Sequence, residues 1–277
     1  MKIITDSSSD LPKDLKDKNE IIVIPMSIEV DGAEYIDGVD LSHNDFYKKM
    51  EKSKSLPKTS QPSTGTFLNV YQQFIEADEE IISIHMSSEI SGTYEGAMIA
   101  AKEIGRNIHV FDSRLGTMGT GLVTVKAAQL ARKGFSCKKI ISILEAYRSN
   151  VNVVGYLDSL KNAVKGGRVN PSKRIITELM NIKPITKIIN GQVKVVYYAR
   201  GKQKTYQYLL DMINDSICSY ESVKLVIVHC DAEKEAMRLQ SMITEQTGIK
   251  DITVTTMGPV NSTHVGIGGI SICYAPV

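Results

Sequence analysis

Two segments rich in hydroxyl side chains have the residue types and spacing of an anion-binding site. They are residues 58–65, with the sequence KTSQPSTG, and residues 87–93, with the sequence SSEISGT. Each precedes a segment of helical period, and a helix start offers unpaired backbone N–H groups and the positive end of a helix dipole. Hydroxyl groups add donors without fixed charge, which suits a carboxylate, whereas a site for several phosphate charges would recruit Lys or Arg. The sequence therefore predicts one carboxylate site built from both segments.

Helix capping is the simpler explanation of these hydroxyl groups, because Ser and Thr are favoured residues at helix starts. For either segment alone, capping would be the better interpretation. A cap needs only one hydroxyl, however, and each segment contains four of them: Thr59, Ser60, Ser63 and Thr64 in the first, and Ser87, Ser88, Ser91 and Thr93 in the second. The surplus of donors favours a ligand.

A third polar stretch, residues 258–269, lies between two apolar runs, contains the single histidine His264, and is predicted to be flexible. A histidine in such a stretch is more often structural than catalytic, and no second His or acid at ligand spacing indicates a metal. Ser91, His264 and an acid such as Asp112 or Asp6 could form the triad of a small-molecule ester hydrolase. Neither serine segment has the GxSxG sequence of a nucleophile elbow, so the hydrolase is kept as the alternative to a binding protein.

The remaining charged features are basic clusters, most of which are solvated surfaces in proteins of this kind. Arg200 is of more interest, because it follows a predicted strand and its guanidinium could reach an acidic partner or a phosphate. The clusters are Lys165 with Arg168, Lys173 with Arg174, and residues 200–204.

The composition is that of a globular protein, with 277 residues of which 42% are hydrophobic and 23% are charged. With 33 basic and 31 acidic side chains, the net charge of +2 gives no general attraction to nucleic acid or to anionic membranes. The N-terminus has no signal-peptide core, and no apolar run approaches the roughly 20 residues that span a bilayer. We therefore expect a cytoplasmic protein that is not integral to a membrane. The cysteines have neither a CxxC pair nor metal spacing, which predicts reduced thiols and no metal: Cys137, Cys218, Cys230 and Cys273.

Short apolar runs alternate with helical segments along the first half, which is typical of a parallel sheet with crossover helices. We also expect Asp10 to cap a short helix and Asp31-Gly32 to turn a hairpin. The predicted strands of the sheet are residues 2–5, 21–24, 81–85 and 108–111, and the predicted helices are residues 41–53, 64–77, 93–104, 118–133 and 137–148.

The second half has a different character, because two β-rich runs flank Asn190-Gly191, the strongest short hairpin signal. At least part of this sheet should be antiparallel. The fold class predicted is therefore α/β with two domains. Residues 1–150 form an N-terminal α/β domain with a mainly parallel sheet, and residues 151–277 form a C-terminal α+β domain with a mixed sheet. Residues 50–75 could pack against the second domain. The length of the chain also favours two domains over one.

Seven short motifs, ordered along essentially the whole chain, resemble the sequence blocks of the DegV family of bacterial fatty-acid-binding proteins. Each motif is weak alone, but the ordered set at compatible spacing is specific. One departure is Glu89, where relatives often carry Gly, and a carboxylate there could alter loop flexibility or access to the head group. The motifs are ITDSSSDL (4–11), KTSQPS (58–63), SGTY (91–94), FDS (111–113), KGGR (165–168), KPI (183–185) and THVG (263–266).

The resemblance implies a fatty acid whose tail is sunk in the C-terminal domain and whose carboxylate lies between the two domains. Thr59 and Ser91 match the positions that hold the carboxylate in the family. Backbone N–H groups near Ser60 and Gly92 are expected to assist, and His264 matches a position that supports the same hydrogen-bond network.

The resemblance also implies a non-catalytic carrier that needs no cofactor. Transient contact with a membrane is compatible with such a carrier. Some relatives present the bound acid to a fatty acid kinase, which phosphorylates it to an acyl phosphate for phospholipid synthesis. Arg200 matches a position tied to that partner.

Overall fold

The computed structural model describes residues 1–75, 79–169, 181–218 and 220–277. Its first half follows the predicted alternation of strands and helices. The strands are β1 (Lys2–Asp6), β2 (Ile22–Ile24), β3 (Ser27–Val30), β4 (Ala33–Ile36), β5 (Lys58–Ser60), β6 (Ile81–His85) and β7 (Ile108–Asp112). The helices are α1 (Lys13–Lys18), α2 (His43–Lys52), α3 (Thr64–Ile75), α4 (Thr93–Ile104), α5 (Thr117–Arg132) and α6 (Cys137–Arg148).

Strands β2, β1, β6 and β7 form a parallel sheet in that order. A parallel sheet is covered on both faces, and β6 is accordingly buried along its whole length. Ile81 packs with the helices α3 and α4, whereas Ile82 and Ile84 pack with α5 and α6 on the opposite face. The alternation of side chains along β6 thus assigns each pair of helices to one face.

A small antiparallel sheet, in the order β4-β3-β5, carries the first hydroxyl segment. Thr59 lies in β5 opposite Ile28 of β3, and Ser60 lies opposite Ser27. The sequence predicts residues 58–63 as a loop before the helix 64–77, and α3 does begin at Thr64, but residues 58–60 form a strand that was not predicted. Residues 58–60 instead find their backbone partners on β3.

The second half contains the elements β8 (Asn152–Tyr156), α7 (Lys161–Lys165), β9 (Ile182–Ile189), β10 (Gln192–Arg200), α8 (Lys202–Ile217), β11 (Val223–His229), α9 (Glu233–Thr247), β12 (Ile252–Thr256), α10 (Pro259–Val265) and β13 (Ile270–Pro276). Its sheet has the order β10-β9-β8-β13-β11-β12. All neighbours are antiparallel except β11 and β12. The predicted hairpin is present, with φ of 52° at Asn190 and 83° at Gly191, as a tight turn between twisted strands requires.

The fold class is therefore confirmed as α/β with a mainly parallel sheet and a mixed sheet. The largest hydrophobic core contains residues of both halves, such as Met118 and Val123 of α5 with Val226 and Cys273 of the mixed sheet. The boundary between domains at residue 150 stays a prediction.

Two local expectations are wrong. Asp10 does not cap α1, because it follows a short 3-10 turn at Ser7–Ser9 with φ of 50°, and α1 begins at Lys13 after Pro12. Residues 258–269 are not simply flexible, because they contain α10, with Pro259 at its first position and Gly266 beyond its end. Proline at the start and glycine after the end are the sequence signals of a short helix.

Three expectations reach beyond the described residues. The predicted helix 64–77 extends past Ile75, and the basic pair Lys173 and Arg174 lies outside the described ranges. The sequence of the second half also predicts a helix over residues 205–219, which extends past Cys218. Among the described helices, none combines the length and the apolar character needed to cross a bilayer.

Candidate functional site

A cavity of about 190 Å³ opens between the two halves of the chain. This volume is more than about ten times what one water molecule requires, so the cavity is suited to an extended ligand. Most of its apolar wall comes from the second half, including Val153, Val154, Leu157, Val169, Val193 and Val260. Met26, Met86 and Ile90 of the first half complete it.

The polar part of the wall contains Thr59, Ser91, Gly92 and His264. The structure thus brings four of the predicted site residues together from three distant parts of the sequence. Thr59 Oγ1 lies 3.2 Å from His264 Nε2, and Ser91 Oγ lies 2.8 Å from Thr93 Oγ1. Ser60 is different, because it is exposed and does not line the cavity.

The surplus of hydroxyl groups has mostly local explanations. Ser63 Oγ accepts a hydrogen bond from the backbone N–H of Thr66 at 3.1 Å, which is the capping role at the start of α3. Ser88 Oγ donates to Asp112 Oδ2 at 2.7 Å. Within the two hydroxyl segments, Thr59 and Ser91 are the Ser and Thr residues that reach the cavity wall. The anion-site prediction therefore reduces to one hydroxyl from each segment.

The second hydroxyl segment does lead into a helix, as predicted. Gly92 is the residue before the first turn of α4 and lines the cavity, so the positive end of a twelve-residue helix faces the polar wall. A Cβ atom at Gly92 would collide with the Gln61 side chain, which also lines the cavity. The two segments therefore approach so closely at Gly92 that a larger residue there would have to displace the Gln61 amide group.

His264 lies in the last turn of α10 and carries a largely enclosed imidazole ring. Burial, with a smaller contribution from the nearby Arg168 guanidinium, lowers its pKa from 6.5 to about 4. The ring is therefore neutral near pH 7. Its Nδ1 atom has no hydrogen-bond partner among the described residues, and a Cβ atom at Gly166 would collide with it.

The carboxyl group of Asp10 positions α10 against the first half. The backbone N–H of Gly258 donates to Asp10 Oδ1 at 2.9 Å, and the Asn261 amide donates to Asp10 Oδ2 at 2.8 Å. Thr117 Oγ1 donates to the same oxygen at 2.5 Å. Burial raises the pKa of Asp10 to about 7 against the effect of these donors. The role predicted for Asp10 from the sequence is a helix cap, and only the ITDSSSDL motif indicates any further importance of this residue.

Sequence reasoning missed several polar residues of the wall, of which Arg168 and Lys187 matter most because they carry positive charge. Arg168 donates through Nη1 to the Gly166 carbonyl at 2.7 Å and through Nε to the Ile90 carbonyl at 3.3 Å. The hydroxyl groups of Thr59 and Ser91 carry no charge, but the cavity wall as a whole carries positive charge. The remaining missed polar side chains are Gln61, Thr117, Thr186, Asn261 and Ser271.

The residues proposed for the hydrolase alternative do not have the geometry of a catalytic triad. Asp6 Oδ2 lies 2.8 Å from His85 Nδ1 in a buried network, and Asp112 is hydrogen-bonded to Ser88. His264 contacts no carboxylate within hydrogen-bonding distance in the described parts of the chain. A base without an orienting acid does not form the predicted triad.

Two further predicted residues lie on the surface. Glu89 is exposed and accepts a hydrogen bond from Gln192 Nε2 at 2.9 Å, so it ties its loop to the β9–β10 hairpin. Arg200 is exposed at the end of β10 and is not part of the cavity wall.

Comparison with known proteins agrees with the sequence motifs. The family model described as "Uncharacterised protein, DegV family" matches residues 1–277. A DegV domain-containing protein of Staphylococcus aureus (strain COL) is 33% identical over 270 residues, which cover 98% of this chain and 96% of that protein. A relative from Listeria monocytogenes is 31% identical over 279 residues, covering 99% of this chain and 97% of that one.

Solved structures are similar over the full length. A DegV family protein from Thermus thermophilus, described by its fatty acid binding, has a TM-score of 0.94 and 26% identity over 100% of this chain and 99% of its own. DegV from Bacillus subtilis, described as a fatty acid binding protein, has a TM-score of 0.90 and 27% identity over 100% and 99% of the two chains. This chain therefore belongs to the DegV family.

Proposed function

We propose that this protein is a non-catalytic carrier of one long-chain fatty acid. The acyl tail lies in the apolar cavity, the carboxylate is held by Thr59 and Ser91, and His264 supports Thr59. The observation that carries the proposal is the meeting of these three side chains at the polar part of an otherwise largely apolar cavity. The fatty acids bound by the similar solved proteins support the same ligand class.

The energetics divide between the two ends of the ligand. A tail of about sixteen methylenes gains roughly 0.8 kcal/mol per buried CH₂, or about 13 kcal/mol before the costs of ordering it. Each hydrogen bond to the charged carboxylate adds roughly 1.5–3 kcal/mol. The tail therefore supplies most of the affinity, and the hydroxyl groups fix where the carboxylate lies.

Positive charge in the wall makes ionised acid the better ligand. Arg168 and Lys187 offset part of the charge of a carboxylate that is withdrawn from water. The helix α4 contributes in the same direction through its N-terminus at Gly92. A neutral lipid of the same length would lose these interactions.

The carrier presents its ligand to a fatty acid kinase, which forms the acyl phosphate. Thr59 lies in a short strand near the surface and is only partly buried, which supports access to the head group. Arg200 supplies an exposed cation for that partner. No cofactor is required by this scheme, and the cytoplasmic location stays a prediction.

Extraction and mass spectrometry of natively purified protein test the ligand class. We expect about one C14–C18 fatty acid per chain in protein purified without detergent. Repeated native preparations without fatty acid, together with failure of delipidated protein to take up added palmitic acid, would contradict the proposal. The alternative has its own test, because hydrolysis of acyl esters that is lost in Ser91→Ala would restore the hydrolase.

A further inference from the structure

Three side chains with metal-binding atoms meet near the amino ends of two neighbouring strands of the parallel sheet, away from the cavity. They are Glu80, His109 and Cys137, and one ligand atom of each lies within 4.8 Å of the other two. Glu80 and His109 are exposed, whereas Cys137 is buried. The cysteines looked isolated in the sequence, because 28 residues separate Cys137 from His109 and the fold alone brings them together.

The backbone explains why the three residues share one face of the sheet. Glu80 directly precedes β6, and its carbonyl accepts a hydrogen bond from the N–H of Lys2 at 2.8 Å. In β7, His109 lies opposite Ile82. Because side chains alternate along a strand, Glu80 points to the same face as Ile82, and His109 to the same face as Phe111.

Helix α6 packs on that same face and begins with Cys137. Its residues Ile140 and Leu144 belong to the core that contains Ile82 and Phe111. The cluster therefore joins two neighbouring strands and one helix. It lies at the amino ends of the strands, whereas residues 86–92, which contribute to the cavity wall, follow the carboxyl end of β6.

We propose that Glu80, His109 and Cys137 bind a zinc ion, with water as the fourth ligand. Thiolate, imidazole and carboxylate are the three ligand types that zinc accepts, and a thiolate disfavours magnesium and calcium. One thiolate and one carboxylate also balance the charge of a divalent ion. Three protein ligands and an open position give an exchangeable site rather than a closed structural one.

The ligand atoms need only local rearrangement to reach tetrahedral geometry. With metal–ligand distances of about 2.0–2.3 Å, the ligand atoms of a zinc site lie roughly 3.3–3.6 Å apart. The present spacing of up to 4.8 Å must shrink by about 1 Å. Exposed side chains at Glu80 and His109 can rotate toward Cys137 while the buried backbone stays in place.

Metal binding would displace the thiol proton of Cys137. A bound cation favours the thiolate, and so does the position of Cys137 in the first turn of α6. Bound metal would thus link α6, through Cys137, to the sheet, through Glu80 and His109.

Cobalt titration of the full-length protein tests this site. Protein treated with a chelator and a metal-free phosphine reductant is titrated with Co²⁺, which reports a thiolate ligand through a sulfur-to-metal charge-transfer band in the near ultraviolet. We expect one Co²⁺ per chain, that band, and displacement by Zn²⁺. The metal should also raise the melting temperature of the wild type, since it binds only the folded arrangement.

Matched variants assign the ligands. Cys137→Ser should abolish the band, whereas Cys218→Ser, which changes an exposed thiol elsewhere, should leave it intact. His109→Ala and Glu80→Gln change exposed side chains, so both variants should fold and retain fatty acid while metal affinity falls about tenfold or more. Absence of the band in wild-type protein would overturn the proposal. So would loss of the band in Cys218→Ser, or unchanged affinity in His109→Ala.

Discussion

Thr59 Oγ1 and His264 Nε2 lie 3.2 Å apart although 205 residues separate them in the chain. Because the enclosed Nδ1 atom of His264 has no partner in the described structure, the proton of the neutral ring is best placed on Nε2. His264 then donates to Thr59, and the hydroxyl hydrogen of Thr59 stays free for a ligand. This relationship makes His264 a positioning residue for the carboxylate site.

The first prediction concerns the two cavity hydroxyls. Thr59→Val and Ser91→Ala each remove a donor to the charged head group while keeping the apolar wall. We expect each to weaken the binding of palmitic acid to delipidated protein by about tenfold or more, since such a hydrogen bond is worth roughly 1.5–3 kcal/mol. Fluorescence competition or calorimetric titration measures the change.

A third hydroxyl provides the control for that measurement. Ser63→Ala removes a hydroxyl of the same segment that caps α3 and does not line the cavity. It should lower stability by about 0.5–2 kcal/mol and leave affinity for the acid unchanged. Equal affinities for all three variants would exclude the hydroxyl site.

The second prediction compares two adjacent glycines. A Cβ atom at Gly166 would collide with His264 Nδ1, whereas a Cβ atom at Gly167 meets nothing within 4 Å but has a φ of +73°. Gly166→Ala should therefore displace the imidazole ring and weaken fatty acid binding. Gly167→Ala should cost about 1 kcal/mol of stability through backbone strain and leave binding intact. If Gly167→Ala weakened fatty acid binding and Gly166→Ala did not, His264 would not be part of the site.

The third prediction follows from the lowered pKa of His264, about 4 in the folded protein against 6.5 for the ordinary side chain. Between these values the unfolded chain binds more protons than the folded protein, so the free energy of unfolding rises with pH. The stability that comes from burying the neutral His264 ring is fully present above pH 6.5 and is lost as the pH falls toward 4. Urea unfolding of His264→Gln should show a flatter pH dependence in this window, and identical curves for both proteins would contradict the burial of a neutral ring.

The fourth prediction tests the attachment of α10 by Asp10. Asp10→Asn replaces an acceptor with a group that also carries donors, which face the donors of Gly258, Asn261 and Thr117. We expect a loss of about 2–4 kcal/mol in the free energy of unfolding. The control Asp14→Asn alters an exposed acid in the first turn of α1 and should cost less than about 1 kcal/mol. If both variants lost a similar amount of unfolding free energy, Asp10 would not be the residue that attaches α10.

The fifth prediction separates ligand binding from delivery. Arg200→Glu reverses an exposed charge outside the cavity, so fatty acid content should match that of the wild type. Phosphorylation of the bound acid by a fatty acid kinase should slow several-fold, while Lys194→Glu, another exposed charge on β10, should have a smaller effect. Equal rates for the three proteins would show that Arg200 does not contact the partner.

The regular elements were predictable because their signals are local. The period of apolar residues marks α4 and α6, which begin and end as expected, and Asn190-Gly191 marks the turn of the β9–β10 hairpin. The stretch 258–269, which contains α10, is predicted to be flexible, since its four glycines and polar residues outweigh the helix signals at Pro259 and Gly266. Likewise, strand β5 is not predicted from the sequence, because the pairing of β5 with β3 is not visible in a three-residue segment.

The site could be predicted only in part, because it depends on long-range contacts. The hydroxyl segments and the family motifs indicated Thr59, Ser91 and His264. The charge of the cavity was missed, since Arg168 and Lys187 come from the second half and resemble ordinary surface residues in the sequence. The role of Asp10 depends on Gly258 and Asn261, about 250 residues away, and no local pattern indicates it.

The central claim is that the fatty acid carboxylate lies between Thr59 and Ser91. Carbon-13 NMR of protein loaded with carboxyl-labelled palmitic acid tests it most directly, because the signal reports the hydrogen bonds of that one group. We predict a single bound resonance that moves in Thr59→Val and in Ser91→Ala but not in Ser63→Ala. A bound resonance that is the same in the wild type and all three variants would contradict the account.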